Sequence, residues 1–206
     1  ITMGMAAYGD DHYHDLMEAV LISNPDTAEF KQNLHAGLND QFMGGLDNVD
    51  IAAAAQRMLE RLIGNVMRRA RDFGWSTNLV YQGGVALNCL ANRKLRRFFD
   101  DIWIMPCPGD AGSSLGAAAL AYSKRINWTN AFLGHDIPGR YPVDDAIGDL
   151  LRDGIVGVAS GRAEFGPRAL GNRSLLADPR RPNIKDQVNS IKRRQQFRPF
   201  APVILA

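Results

Sequence analysis

Three arginines stand among turn-forming residues in GRAEFGPRALGNRS, residues 161–174. Arg162, Arg168 and Arg173 alternate with Gly161, Gly166, Pro167 and Gly171. Glycine permits positive φ and proline fixes φ, so the backbone here is set up to turn and to hold those side chains in place. Guanidinium forks bind carboxylates and phosphates bidentately, so the chemistry to expect is capture of an anion. A second basic stretch, IKRRQQFRPFAP at 191–202, adds Lys192, Arg194 and Arg198, whereas Arg180, Arg181 and Arg193 read as solvated surface charges.

Two more stretches lie where strands run into helices. QGGVALN at 82–88 places Gly83 and Gly84 where a backbone can approach a phosphate or ribose, although a tight turn alone would also use them. PCPGDAGSSLG at 106–116 sets Asp110 at the head of a small-residue helix. There an aspartate can ligate a metal or orient a nucleophile, and it is more commonly an N-cap. His12 and His14 in DDHYHD share a face only in a strand, which this segment does not resemble, and no Ser/His/Asp set can be assembled. Cys89 and Cys107 belong to no metal-type spacing and read as two small buried thiols.

The elements that must position these residues follow from periodicity. Residues 9–49 are loop-rich and partly helical, with turns at SNPD (23–26) and GGLDN (44–48). From Asp50 to about Phe73 the apolar positions Ile51, Ala55, Met58, Leu62, Val66 and Met67 recur at helical spacing, and Gly74 ends the helix. NLVYQ at 78–82 and DIWIM at 101–105 read as buried strands, with a helix over 86–98 between them and another over 111–125 after them. Helices alternating with strands predict a parallel α/β sheet. Residues 127–143 read as a linker, Asp144–Arg152 as a short helix, and 155–160 as a strand opening a second α/β domain.

With 206 residues and 46% hydrophobic composition the chain can bury a substantial core. No apolar run approaches the ~20 residues of a membrane span, and a soluble, cytoplasmic protein is expected. Charge is uneven: residues 151–206 hold eleven Lys and Arg against four Asp and Glu, so the net +2 of the whole hides a basic second region and an acidic first one.

Taken in order, MGMAAYG, GGVALNCLANRKL, PCPGDAGSSLGAAALAY, GRAEFGPRALGNRSLLADPR and KRRQQFRPFAPVIL closely resemble the O-carbamoyltransferase family of nodulation-factor and antibiotic biosynthesis. The resemblance implies two domains. Residues 1–140 would be the second lobe of a transferase domain of the actin-like ATPase and sugar-kinase type, resembling the tRNA threonylcarbamoyl-transferases. Residues 144–206 would be the start of a second α/β domain resembling threonylcarbamoyl-adenylate synthases. The implied activity uses carbamoyl phosphate and ATP to form carbamoyl-adenylate, then moves the carbamoyl group to an acceptor hydroxyl, with a divalent metal of the Fe2+ kind.

Carried onto this sequence, the family motifs imply that Gly83, Gly84 and Asn88 contact the adenylate and that Asp110 is a metal ligand. Arg168, Arg173, Lys192, Arg194 and Arg198 would bind carbamoyl phosphate and the ATP phosphates, Arg168 and Arg173 catalytically. The family's metal site also uses an HxxxH pair, and no such pair occurs in these residues. The chain therefore reads as an internal fragment, inactive alone. The acceptor and the oligomeric state, a homodimer included, stay open. Two other readings are a sugar-kinase-like ATP phosphotransferase and a basic RNA-binding module, the latter disfavoured because few aromatics interleave the basic residues.

Overall fold

The structure is a computed structural model that describes residues 1–35, 37–39 and 42–204. It divides into two compact units, Ile1–Tyr81 with Val85–Ile104, and Gln82–Gly84 with Met105–Ala206.

In the first unit the MGMAAYG stretch forms α1 (Thr2–Met5) and a 3-10 turn over Ala6–Tyr8. Next come α2 (His14–Leu21) and an antiparallel hairpin of β1 (Ile22–Asn24) and β2 (Glu29–Phe30). The Asn24 side chain accepts the Asp26 amide at 3.0 Å and so turns the chain at the expected SNPD. The predicted long helix is α3 (Asn48–Asp72), and Gly74 stops it at φ 70°. Its first half is buried through Ala52, Ala53 and Ala54, small enough for α1 and the following turn to pack close. Gly9 lies against it so tightly that a Cβ there would stand 2.0 Å from the Val49 carbonyl oxygen. Met58 and Leu62 join Met17, Leu21 and Ile22 in one apolar cluster, and Met67 joins Leu95 and Phe99 in another.

The expected strands are β3 (Asn78–Tyr81) and β4 (Asp101–Ile104), paired parallel from Asn78↔Asp101 to Tyr81↔Ile104, but they are not buried as expected: alternate side chains, Val80 and Trp103 among them, are exposed. The single helix expected over 86–98 is instead broken into a 3-10 turn at Gly84–Leu87, α4 (Cys89–Asn92) and a 3-10 turn at Leu95–Arg97. Two asparagines account for the breaks. Asn88 is extended and caps the Ala91 amide through its side chain at 3.1 Å, while the Asn92 side chain donates to the Ala86 carbonyl at 2.7 Å. Short amide side chains compete with the helix for backbone partners, and here they win.

In the second unit a 3-10 turn at Asp110–Gly112 leads into α5 (Ser113–Tyr122), which Ser123 ends in the left-handed region. The 127–143 segment expected as a linker is built into this unit: β5 (Asp136–Ile137) pairs antiparallel with a later strand, and the Trp128 ring meets Phe165 edge-on at 6.2 Å. After α6 (Val143–Asp153) come β6 (Ile155–Ala159), β7 (Gly161–Arg162), β8 (Arg173–Ala177) and α7 (Ile184–Ile191). β7 is the partner of β5, and β6 pairs antiparallel with β8 in register from Ile155↔Ala177 to Ala159↔Arg173. The parallel pairing expected from the alternation of strands and helices is found in β3 and β4, whereas the other pairs among the described residues are antiparallel. β6 and β8 are joined through β7 and a turn-rich loop without a crossover helix, the kind of return that suits antiparallel pairing. Arg181 donates to the Leu151 and Arg152 carbonyls at 2.5 and 2.9 Å, so a residue read as a solvated charge closes the C-terminus of α6.

Candidate anion site at three loops of the second unit

Three of the stretches singled out in the sequence meet within the second unit. The Gly83 amide donates to the Pro108 carbonyl at 2.8 Å, and Gly109 stands against Gly84, a Cβ on it falling 3.8 Å from the Gly84 Cα. Gly166, at φ 116°, leans on the same loop, where a Cβ would come within 2.5 Å of the Pro106 carbonyl oxygen. Gly112 crowds the Cys107 carbonyl from the other side, again with no room for a Cβ. Gly166 and Gly112 thus leave no room for a Cβ, and Gly166 is what lets the GPRALG loop seat on the PCPGD loop. A Cβ on Gly83 or Gly84 would meet nothing within 4 Å, so this backbone is open to approach. Cys107 is buried as expected, whereas Cys89 is exposed, and both are free thiols.

Asp110 heads its 3-10 turn, exposed, and its carboxylate has no hydrogen-bond or ion-pair partner among the described residues. The capping alternative does not describe it, because the N-caps there are glycines without side-chain bonds. No group of three or more His, Cys, Asp or Glu that could hold a metal occurs among the described residues. One carboxylate does not make a metal site, and the residues described here do not by themselves fit a bound metal.

The arginine loop is organised around an anion, and that anion is its own. Oε1 of Glu164 accepts the backbone amides of Leu170, Asn172 and Arg173 at 2.8, 2.9 and 3.2 Å. Burial raises the carboxyl's pKa, but these donors outweigh it and the net displacement is downward. The remaining amide of the run, Gly171, donates to Ser174 Oγ at 3.0 Å, and the Gly171 carbonyl accepts from the Tyr141 hydroxyl at 3.1 Å.

Arg173 is likewise turned inward. Its Nη1 donates to the Ser160 and Asn172 carbonyls at 3.0 and 2.7 Å, and its Nη2 to those of His135 and Gly161 at 3.0 and 3.1 Å. A guanidinium has five N–H groups, so four carbonyls leave only Nε–H for any other partner. The side chain thereby ties the approach to β5, the β6–β7 junction and β8 together. Arg168, by contrast, lies exposed at the crown of the loop beside Pro167 and Ala169.

The second basic stretch forms its own cluster. Asn189, wholly buried on α7, donates to the Gln196 and Arg198 carbonyls at 3.1 Å each and accepts from Arg194 Nε at 2.7 Å. Arg194 lies over the Phe200 ring at 4.6 Å, and its pKa is lowered by burial and by the neighbouring positive charge of Arg198. Lys192 is exposed at the end of α7. Glu164 and Asn189, the two residues that shape these basic loops, were missed in the sequence. Their partners lie five to nine residues along the chain, and only the folded turn brings them within reach.

Asn88 lies in the first unit and is committed there. Besides capping Ala91, it exchanges two hydrogen bonds with the buried Gln56, at 2.8 and 3.2 Å. Gln56 also donates to Glu60 at 2.8 Å, and Glu60 pairs with Lys94. Burial raises the Glu60 pKa, but the bonds from Lys94 and Gln56 and the charges of Lys94 and Arg57 prevail and lower it. Gln56, Glu60 and Lys94 line a cleft of about 740 Å³ together with Tyr8, Asp10, Asp50 and Arg93.

The chain belongs to the carbamoyltransferase family. Residues 3–119 match the model of the carbamoyltransferase N-terminus and residues 148–206 that of the carbamoyltransferase C-terminus, so the three loops draw on both segments. Among relatives, nodulation protein NolO of Bradyrhizobium diazoefficiens is 34% identical, over 99% of this chain and 44% of its own length. Nodulation protein NolNO of Sinorhizobium fredii is 36% identical, over 99% and 36%. The 3'-hydroxymethylcephem-O-carbamoyltransferase of Streptomyces clavuligerus is 36% identical, over 77% and 34%. The chain spans less than half the length of each. No helix among the described residues is long and apolar enough to cross a membrane.

Proposed function

We propose that this chain forms part of an O-carbamoyltransferase that uses carbamoyl phosphate and ATP, and that its second unit receives the donor anion and the nucleotide phosphates. The observation that carries this reading is the seating of the arginine loop on the PCPGD loop through Gly166, beside the open Gly83–Gly84 backbone. It sets Arg168, an exposed carboxylate at Asp110 and an accessible glycine backbone on neighbouring loops of one compact unit. Burial first and the charge of Arg198 second lower the pKa of Arg194, and a bound anion would offset both, which supports the reading too.

Atoms balance when one water hydrolyses carbamoyl phosphate to carbamate and inorganic phosphate, a carbamate oxygen bonds to the α-phosphorus of ATP, and pyrophosphate departs. The acceptor hydroxyl then adds to the carbamoyl carbon and AMP leaves. Fixed cations serve both steps by offsetting charge that builds on the departing groups, which costs no reorganisation at the moment of reaction. In this reading Arg168, Lys192, Arg194 and Arg198 supply that charge. Arg173 adds its positive field while clasping the β-structure, and Gly83 and Gly84 admit the nucleotide.

The test is carbamoyl phosphate-dependent ATP–pyrophosphate exchange in the intact protein. Arg168→Ala is expected to lower exchange about tenfold or more, the loss of one charge-assisted contact. Unimpaired exchange in that variant removes the donor-site assignment. ATP turnover driven by a sugar without carbamoyl phosphate would favour the kinase-type alternative.

A further inference from the structure

We infer that Glu164 is the positioning residue that templates the arginine loop for the donor anion; the inference rests on the reading just given and adds a residue to it. The loop between β7 and β8 has no ladder or helix of its own between Gly166 and Gly171, and both glycines are at positive φ. Its entry is fixed by the Phe165 amide on the Ala131 carbonyl at 2.7 Å and by Gly166 on Pro106. At its exit, the three amides of Leu170, Asn172 and Arg173 turn inward onto one carboxylate oxygen. Pro167, Arg168 and Ala169 remain as an exposed crown held from both ends.

A carboxylate beside a site for anions would ordinarily oppose it. Here the carboxylate is turned onto three amide donors that favour its ionised form, and those amides at the loop's exit are occupied. The amides of 170–173 are therefore turned away from a donor anion, and Arg168 stands on the exposed crown between the two anchored ends. Glu164 sets where that side chain is anchored without touching the substrate.

Steady-state kinetics on the intact protein separate this role from general stability. Glu164→Ala is expected to raise the KM for carbamoyl phosphate about tenfold or more while kcat changes little, because three amides lose a shared acceptor. Glu164→Gln keeps a carbonyl oxygen in place and should stay within about threefold of wild type. Glu164→Asp falls one methylene short and should behave like Ala, so the Asp and Gln pair carries the test if the Ala variant does not fold. Inorganic phosphate, used as a competitive inhibitor, should bind more weakly to the Ala and Asp variants. An unchanged KM in those variants, tighter phosphate inhibition, or a Gln variant as poor as Ala would overturn the inference. Arg168→Ala measured alongside keeps the two claims apart: a normal KM there removes the donor-site reading itself, whereas a raised KM there with a normal Glu164→Ala removes only Glu164.

Discussion

The two units are held together by different physics. The first buries apolar side chains in two clusters, around Leu62 and around Leu95, and its polar groups form a side-chain network running from Asn88 through Gln56 and Glu60 to Lys94. The second has few buried apolar residues, Val158 and Val188 among them, and α5 buries none. Its loops are braced by single polar side chains that each gather several backbone groups, Glu164 three amides and Arg173 four carbonyls. Hydrophobic burial is non-directional and tolerates a featureless wall, whereas hydrogen bonds fix direction. A unit that must hold loops in one geometry is better served by the second device.

The largest effect should come from the first unit's core. Leu95 is 1% exposed between Met67 and Phe99, so Leu95→Ala is expected to lower unfolding free energy by about 2–5 kcal/mol in urea titrations. A loss below about 1 kcal/mol would break the contrast, because that cluster would then not be what holds its unit. Arg173→Ala should follow, destabilising by about 2 kcal/mol as four carbonyls lose a charged partner, measured by the same titration. An unchanged midpoint would show that the clasp is not a brace.

The smallest effect concerns acid. Asp178 has a pKa of about 2, held below the ordinary carboxylate value by the Arg180 side chain first and by the Arg180 amide. A depressed folded-state pKa stabilises the fold above the unfolded value, so this contribution is present at neutral pH and is lost as pH falls from about 4 towards 2. Thermal melts across that range should therefore decline less steeply for Asp178→Asn than for wild type. Parallel declines would mean that the pair does not matter to folding.

Much of the framework was legible beforehand because it rests on periodicity and punctuation. α3 and the β3–β4 pair follow from apolar spacing bounded by glycine, and their limits came within a few residues. The break at Asn88 was not legible, since a run of ALNCLAN looks helical until its asparagines find backbone partners. At the site, the glycines and Arg168 stood out by residue type. Arg173 stood out equally, and nothing in the sequence tells a guanidinium that will face carbonyls from one that will face solvent. Glu164 was hidden for the same reason: its role depends on amides six to nine residues away that a turn brings back to it.

The central claim is that the loops of the second unit, and not the cleft of the first, receive the carbamoyl donor. Backbone amide shifts followed during titration with carbamoyl phosphate test it most directly. The account predicts perturbations gathered at Gly83–Gly84, Gly109–Asp110 and 166–172, with Asp10, Asp50 and Arg93 unmoved. Perturbations gathered instead around those three residues of the cleft, with the second unit's loops silent, would contradict it.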